Sequence, residues 1–196
     1  AGFDGTSNVQ AAAVLGIPPA GTMAHSWVQC HAEELQAFRS FVAAYPETIL
    51  LVDTYDTLRG VDRVIELARE LGESFRVRGV RLDSGNLREL AVDVRRRLDD
   101  AGLDRLRIFV SGSLDEWRVA ELVAAGAPID AFGVGTRLGT SEDNPNLDMV
   151  YKLAQVGDRP LLKLSTGKAT LPGVKQIWRR RGGDGRLLGD VIGLHD

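Results

Sequence analysis

Hydrophobic and polar positions alternate between two periods along this chain. Thr48-Ile-Leu-Leu-Val52 reads as a strand and runs straight into Asp53-Thr54-Tyr55-Asp56. Residues 58–71 then carry apolar residues at helical spacing and stop at Gly72. The same couplet recurs. A strand over 77–82 ends in Asp83-Ser84-Gly85, and an Arg-rich amphipathic helix follows over 87–101. Arg107 to Val110 is a strand ending in Ser111-Gly112-Ser113, followed by a helix over 115–125 stopped by Gly126. Ala131-Phe-Gly-Val134 is a strand ending in Gly135-Thr136-Arg137. Upstream, Thr6 or Ser7 can N-cap a helix over Asn8 to Leu15, closed by Gly16 and Pro18. A short apolar segment over Pro19 to Ala24 delivers Thr22 and His25. Residues 31–45 show helical period with Leu35, Phe38, Phe41 and Val42 on one face.

Repeated β-then-α units imply a parallel sheet, doubly wound or closed as a barrel. Polar and Gly-rich residues fall where strands end, which in a β/α barrel is the face that carries chemistry. Only four or five units are present, so the expected fold is α/β with an irregular or incomplete β/α barrel. After about Leu138 the pattern changes. A polar loop over 140–148 leads to short strand-like runs at Met149–Val156, Pro160–Ser165, Gln176–Arg180 and Leu187–Ile192, separated by Gly-rich turns. The expected organisation is therefore a barrel core over 1–138 and a small β-rich antiparallel lobe over 139–196. The chain opens on Ala1-Gly2-Phe3-Asp4-Gly5 without an initiator Met and reads as part of a longer protein.

Composition narrows the function classes. The 196 residues carry a formal charge of −3, with 44% hydrophobic and 26% charged residues, which is globular composition. The slightly acidic balance gives no field to attract nucleic acid. No apolar run approaches the ~20 residues of a membrane span, so no membrane partner is expected and the expected location is cytoplasmic. One cysteine, Cys30, excludes an internal disulfide and a multi-Cys metal site. No two of the three His share a metal-ligand spacing, and no protein-held metal is expected. All four lysines (152, 163, 168 and 175) cluster in the last third of the chain.

The candidate chemistry sits at the strand ends. Arg81 and Asp83 lie two residues apart, on the same side of a strand. They read either as an ion pair in a barrel mouth or as an anion clamp beside a carboxylate. Asp53 and Asp56 place two carboxylates at another strand end, and Asp56 reads equally as the N-cap of the following helix. Gly133-Val134-Gly135-Thr136 offers unobstructed backbone N–H groups, suited to a phosphate or simply to tight packing. Ser111-Gly112-Ser113 is the same kind of element one strand earlier. His25, in Gly21-Thr22-Met23-Ala24-His25-Ser26, is the histidine with a candidate role.

Taken in order, Gly5-Thr6-Ser7-Asn8, Ala20-Gly-Thr-Met-Ala-His-Ser26, Val52-Asp-Thr-Tyr-Asp-Thr57, Gly79-Val-Arg-Leu-Asp-Ser-Gly85, Gly133-Val-Gly-Thr136 and Gly167-Lys-Ala-Thr-Leu-Pro-Gly173 resemble the nicotinate phosphoribosyltransferase family from residue 2 to about residue 180. The resemblance implies a type II phosphoribosyltransferase fold. It implies a reaction that joins nicotinate to phosphoribosyl pyrophosphate, coupled to ATP, giving nicotinate mononucleotide and pyrophosphate. That is the entry step of NAD salvage from nicotinate. ATP would be a co-substrate, and Mg²⁺ would arrive bound to the pyrophosphate. The partners implied are these small molecules and a second copy of the chain, in a homodimer with shared active sites.

The resemblance also implies roles. His25 matches the histidine that ATP transiently phosphorylates, with Asp53 or Asp56 orienting its imidazole. Asp83 and Arg81 would bind phosphoribosyl pyrophosphate, and Arg81 could reach the nicotinate carboxylate. Thr22 belongs to the substrate-binding set. Ser111, Gly112, Ser113, Gly133, Gly135 and Thr136 would hold the 5′-phosphate. Lys168, with Lys175, would reach phosphates. Ser7 and Asn8 stand where nicotinamide-using relatives tend to carry an acidic residue, so an uncharged pair favours the acid over the amide. The rival readings are a quinolinate- or nicotinamide-using relative, a barrel isomerase or aldolase, and an inactive barrel fragment that only binds phosphate. The Thr-x-x-His segment argues against the quinolinate reading.

Overall fold

The computed structural model describes residues 2–140, 147, 149–165 and 170–195. In chain order the elements are α1 (Val9–Leu15), α2 (His25–Cys30), α3 (Glu34–Ala44), β1 (Ile49–Leu51), α4 (Thr57–Leu71), β2 (Gly79–Leu82), α5 (Leu87–Asp100), β3 (Arg107–Ser111), α6 (Glu116–Ala124), β4 (Ala131–Gly133) and α7 (Thr136–Gly139). Four short strands follow: β5 (Gln155–Val156), β6 (Arg159–Pro160), β7 (Lys175–Arg181) and β8 (Leu187–Leu194).

Strands β1 to β4 form one parallel sheet in sequential order. Sequential order keeps every crossover turning the same way, as in a β/α barrel. A doubly wound sheet would reverse its order at a switch point. Among the described residues β1 and β4 are not paired with each other, so the barrel is open.

The register sorts the sheet into two faces. Leu50, Val80 and Ile108 align across three strands, Leu82 pairs with Val110 one step on, and all five are completely buried. Val61, Val64 and Leu67 of α4, Ala91, Val94 and Leu98 of α5, and Phe38 of α3 belong to the same core. One close approach seats α4: a Cβ on Gly60 would lie 2.1 Å from the Val52 carbonyl oxygen. The opposite face carries Leu51, Arg81, Phe109 and Ala131 in register, then Ser111 opposite Gly133. By strand alternation Asp53 and Asp83 fall on that same face.

Helix boundaries follow their caps. Asp56 accepts from the Arg59 N–H at 2.8 Å and Asp115 from the Arg118 N–H at 2.8 Å. Left-handed Gly16 closes α1 and positive-φ Gly72 closes α4. Asn8 rather than Thr6 or Ser7 caps α1, accepting from the Ala11 N–H at 3.0 Å. The helix expected over 31–45 begins at Glu34, and a separate short helix, α2, precedes it. His31 is the C-cap of α2, its N–H donating to the Val28 carbonyl.

In the tail, β5–β6 and β7–β8 pair antiparallel, forming a small β-rich portion. The β7–β8 ribbon is held by Ile177 opposite Ile192 and by Arg179 donating twice to Asp190 at 3.0 and 3.1 Å. Of the strand expected over Pro160–Ser165 only Pro160 lies in β6; one further bond continues the pairing with the segment before β5, and the chain then bonds elsewhere. Leu161 N–H donates to Ala154 O, Lys163 N–H to Thr170 Oγ1, and Leu164 N–H to Thr54 O on the barrel.

Candidate active site

The polar residues at the C-terminal strand ends form one hydrogen-bonded network. Arg81 Nε donates to Ser111 Oγ at 2.8 Å, Nη1 to Thr22 Oγ1 at 2.7 Å and Nη2 to Asp83 Oδ1 at 2.7 Å. Ser111 Oγ also donates to Asp83 Oδ1, at 2.6 Å. Three of the guanidinium's five N–H groups are thus engaged within the chain. The two that remain, one on each terminal nitrogen, are available to an anion. Arg81 keeps 25% of its side chain exposed, so an anion reaches it from solvent.

His25 stands at the start of α2 and faces this network. Its Nε2 lies 3.7 Å from Asp83 Oδ2, and its Nδ1 lies 3.1 Å from Thr54 Oγ1. Thr54 is completely buried. Asp53 takes a different part from the one the resemblance implied. Its Oδ2 accepts from Ser84 Oγ at 2.5 Å and from the Asp83 N–H at 3.1 Å, while its Oδ1 is buried with no hydrogen-bond partner among the described residues. Asp53 therefore fixes the loop that carries Asp83. Asp56 is spent on capping α4 and does not orient the imidazole. That task falls to Thr54, which lies between the two carboxylates in the sequence.

The glycine loops frame the same face. A Cβ on Gly133 would meet the Phe109 ring at 3.0 Å and Ser111 Cβ at 3.3 Å, so a larger residue there requires those side chains to give way. Gly112 and Ser113 both have positive φ, 101° and 53°. Ser113 is the one described non-glycine residue in that region, and it makes the sharp turn between β3 and α6. Gly135 faces open space and precedes Thr136, the first residue of the single-turn α7.

Other candidates stand apart. Ser7 is exposed, and Asn8 Oδ1 is occupied in capping α1. The segment bearing them is tied to the approach to Thr22 through Thr6 N–H to Pro18 O and Ala20 N–H to Thr6 O. Lys175 does not extend towards a phosphate: its Nζ donates to Leu171 O and Gly173 O at 2.5 and 2.7 Å. Lys168 lies outside the described residues. Among the described residues no cluster of three or more His, Cys, Asp or Glu is placed to hold a metal ion. No described helix is long and apolar enough to cross a membrane.

Several residues in and around the site escape a local reading. Thr54, Ser84, Arg159 and Ser165 act through contacts 29 to 130 residues away. Glu34, in the first turn of α3, is another. Burial pushes its carboxyl up to about 7 against the lowering pull of Arg63 and Arg59, and its Oε1 has no hydrogen-bond partner among the described residues. The Tyr55 hydroxyl is raised too, by burial first and by Glu34 next.

Comparison with known proteins agrees with this geometry. Residues 1–167 match the profile described as the nicotinate phosphoribosyltransferase (NAPRTase) family. The whole chain aligns at 55% identity over 195 residues with nicotinate phosphoribosyltransferase pncB2 of Mycobacterium tuberculosis (strain H37Rv), covering 42% of it. It aligns at 40% identity over 203 residues with nicotinate phosphoribosyltransferase of Bacillus subtilis (strain 168), covering 41% of it. Among solved structures, human nicotinic acid phosphoribosyltransferase superposes on 98% of the chain with a TM-score of 0.61 at 30% identity, over 47% of the human chain. The chain thus spans under half the length of the curated relatives it matches. With a family profile covering most of its length and the family's motifs gathered at one sheet edge, the chain belongs to the nicotinate phosphoribosyltransferase family.

Proposed function

We propose that the full-length protein joins nicotinate to phosphoribosyl pyrophosphate, coupled to ATP hydrolysis, and releases nicotinate mononucleotide and pyrophosphate. The observation that carries this reading is the Arg81–Asp83–Ser111–Thr22 network with His25 set against it. It is a site rich in fixed charge and hydrogen bonds and poor in nucleophiles. Displacement at a ribose C1 needs that: the carbon turns oxocarbenium-like as pyrophosphate leaves, so positioning and charge stabilisation matter more than a strong base. The two free N–H groups of Arg81 take a phosphate or carboxylate oxygen, and Asp83 faces the developing positive charge.

His25 supplies the one nucleophilic nitrogen of the network. With Thr54 Oγ1 accepting the Nδ1 proton, the lone pair sits on Nε2, which is buried 3.7 Å from Asp83 Oδ2 and has no hydrogen-bond partner among the described residues. Attack of Nε2 on the γ-phosphorus of ATP forms the N–P bond and releases ADP. Hydrolysis of that bond later returns the imidazole and phosphate. The added negative charge beside Arg81 reorganises how the pyrophosphate is held. Mg²⁺ comes with the pyrophosphate; Asp83 and the unpartnered Oδ1 of Asp53 are the oxygens suited to it or its water shell.

Gly112, Ser113, Gly133, Gly135 and Thr136 form the 5′-phosphate cradle, Lys168 contacts a phosphate, and Ser7 contributes to choosing the acid over the amide. Residues 1–138 form the barrel part and 139–196 the lobe of a cytoplasmic enzyme. A second copy completes each active site in a homodimer.

The test is His25→Ala in the full-length protein. ATP stimulation of product formation disappears and slower ATP-independent product formation remains. An unaltered response to ATP contradicts the role given to His25.

A further inference from the structure

Helix α2 has only six residues and no side-chain N-cap, so little within it holds His25 in place. Its last carbonyls lack intrahelical partners, as at any helix end. They are met from 130 residues downstream. Arg159 Nη1 donates to His31 O at 2.9 Å, and Nη2 donates to Gln29 O at 3.0 Å and Cys30 O at 2.8 Å. A guanidinium at that end also complements the negative pole of the helix.

The same downstream segment holds the other support of the imidazole. Leu164 N–H donates to Thr54 O at 3.3 Å, and Ser165 Oγ donates to Asp53 O. Burial alternates along it: Leu161, Lys163 and Ser165 are buried, while Leu162 and Leu164 are exposed. One stretch of seven residues thus grips the far end of the helix that begins with His25 and the backbone of Thr54, whose hydroxyl meets His25 Nδ1.

We infer that residues 159–165 are a clamp that sets the position of His25, with Arg159 as its principal positioning residue. This rests on the reading of His25 as the phosphoryl-accepting group. Arg159 touches no reacting atom. It acts by fixing α2, so that the Nε2 lone pair keeps one direction. The three-carbonyl grip needs the planar fork, and a lysine ammonium in its place satisfies at most part of it.

The test compares Arg159→Met, Arg159→Lys and Arg159→Ala in the full-length protein. The ATP-stimulated rate falls about 10- to 100-fold in Arg159→Met with the KM for nicotinate unchanged, the scale of a small misplacement of a reacting group. Arg159→Lys recovers a part, and millimolar guanidinium restores Arg159→Ala. In a His25→Ala background, Arg159→Met adds no further loss. An equal loss in that background overturns the proposal, because the arginine would then serve the fold at large. A readout independent of turnover keeps the clamp separable from the reaction assignment. In ¹⁵N-histidine-labelled protein, the His25 ring resonances shift and broaden in Arg159→Met while those of His195 stay put. Unchanged His25 resonances in a folded Arg159→Met protein overturn the clamp even if the enzyme assignment stands. Shifted resonances in a protein without phosphoribosyl transfer uphold the clamp and refute the function.

Discussion

The two ends of the four-stranded sheet use similar charged residues to different effect. At the C-terminal ends, Arg81 and Asp83 are half-buried, share partners with each other and with Ser111 and Thr22, and face His25. At the N-terminal ends, Arg78 pairs with Glu47 in the open, and Arg105 donates to the Phe75 carbonyl. A cavity of about 620 Å³ lies at that end, with Phe75 and Val77 on its walls beside Arg78 and Arg107. Among the described residues its charged groups join no shared network. What distinguishes the C-terminal end is convergence: several polar groups share partners, and Arg81 keeps N–H groups unspent.

The contrast can be broken most severely at Arg81. Arg81→Lys loses the fork that reaches Ser111, Thr22 and Asp83 together, and kcat/KM of the full-length protein falls at least ~10-fold. Steady-state kinetics with saturating ATP measure it. Unchanged kinetics would leave the two ends equivalent.

Glu34 gives a pH test on the buried side. Its carboxyl titrates at about 7 in the folded chain against 4.5 as a free group. The native state therefore holds a proton that the unfolded chain gives up. That contribution is complete below pH 4.5 and is lost as pH rises through about 7. Thermal unfolding of Glu34→Gln should show less loss of Tm between pH 5 and pH 8 than the parent protein. Glu70 behaves oppositely on the surface: its hydrogen bond from Arg39 holds it below the usual carboxylate range.

A smaller effect separates Asp56 from Asp53. Asp56→Ala removes the cap of α4 and costs about 1 kcal/mol in denaturant unfolding, with the ATP response intact. Loss of ATP stimulation would return Asp56 to the histidine. The smallest effect belongs to the far end. Arg78→Ala breaks an exposed ion pair and changes stability by under ~1 kcal/mol, with activity unaltered.

The legible and illegible parts divide along range of interaction. The βα alternation, the strand ends and the Arg81–Asp83 pair follow from period and spacing, which are local. In sequence Asp56 is ambiguous between cap and catalytic carboxylate because both uses need a carboxylate after a strand, and the Arg59 N–H at 2.8 Å favours the cap. Thr54 stood inside a recognisable motif but gave no sign of meeting a histidine 29 residues upstream. Nothing in the sequence around Arg159 announces carbonyls 128 to 130 residues away. The Gly-rich turn predicts the β7–β8 ribbon, which pairs antiparallel, yet most of its side chains are exposed on both faces.

The most direct test of the central claim is mononucleotide formation by the full-length protein. It is assayed with phosphoribosyl pyrophosphate, Mg²⁺ and each of nicotinate, nicotinamide and quinolinate, with and without ATP. The account predicts product from nicotinate alone, raised by ATP. Product from nicotinamide or quinolinate instead would keep the fold and contradict the substrate. No product from any of the three would contradict the reaction itself.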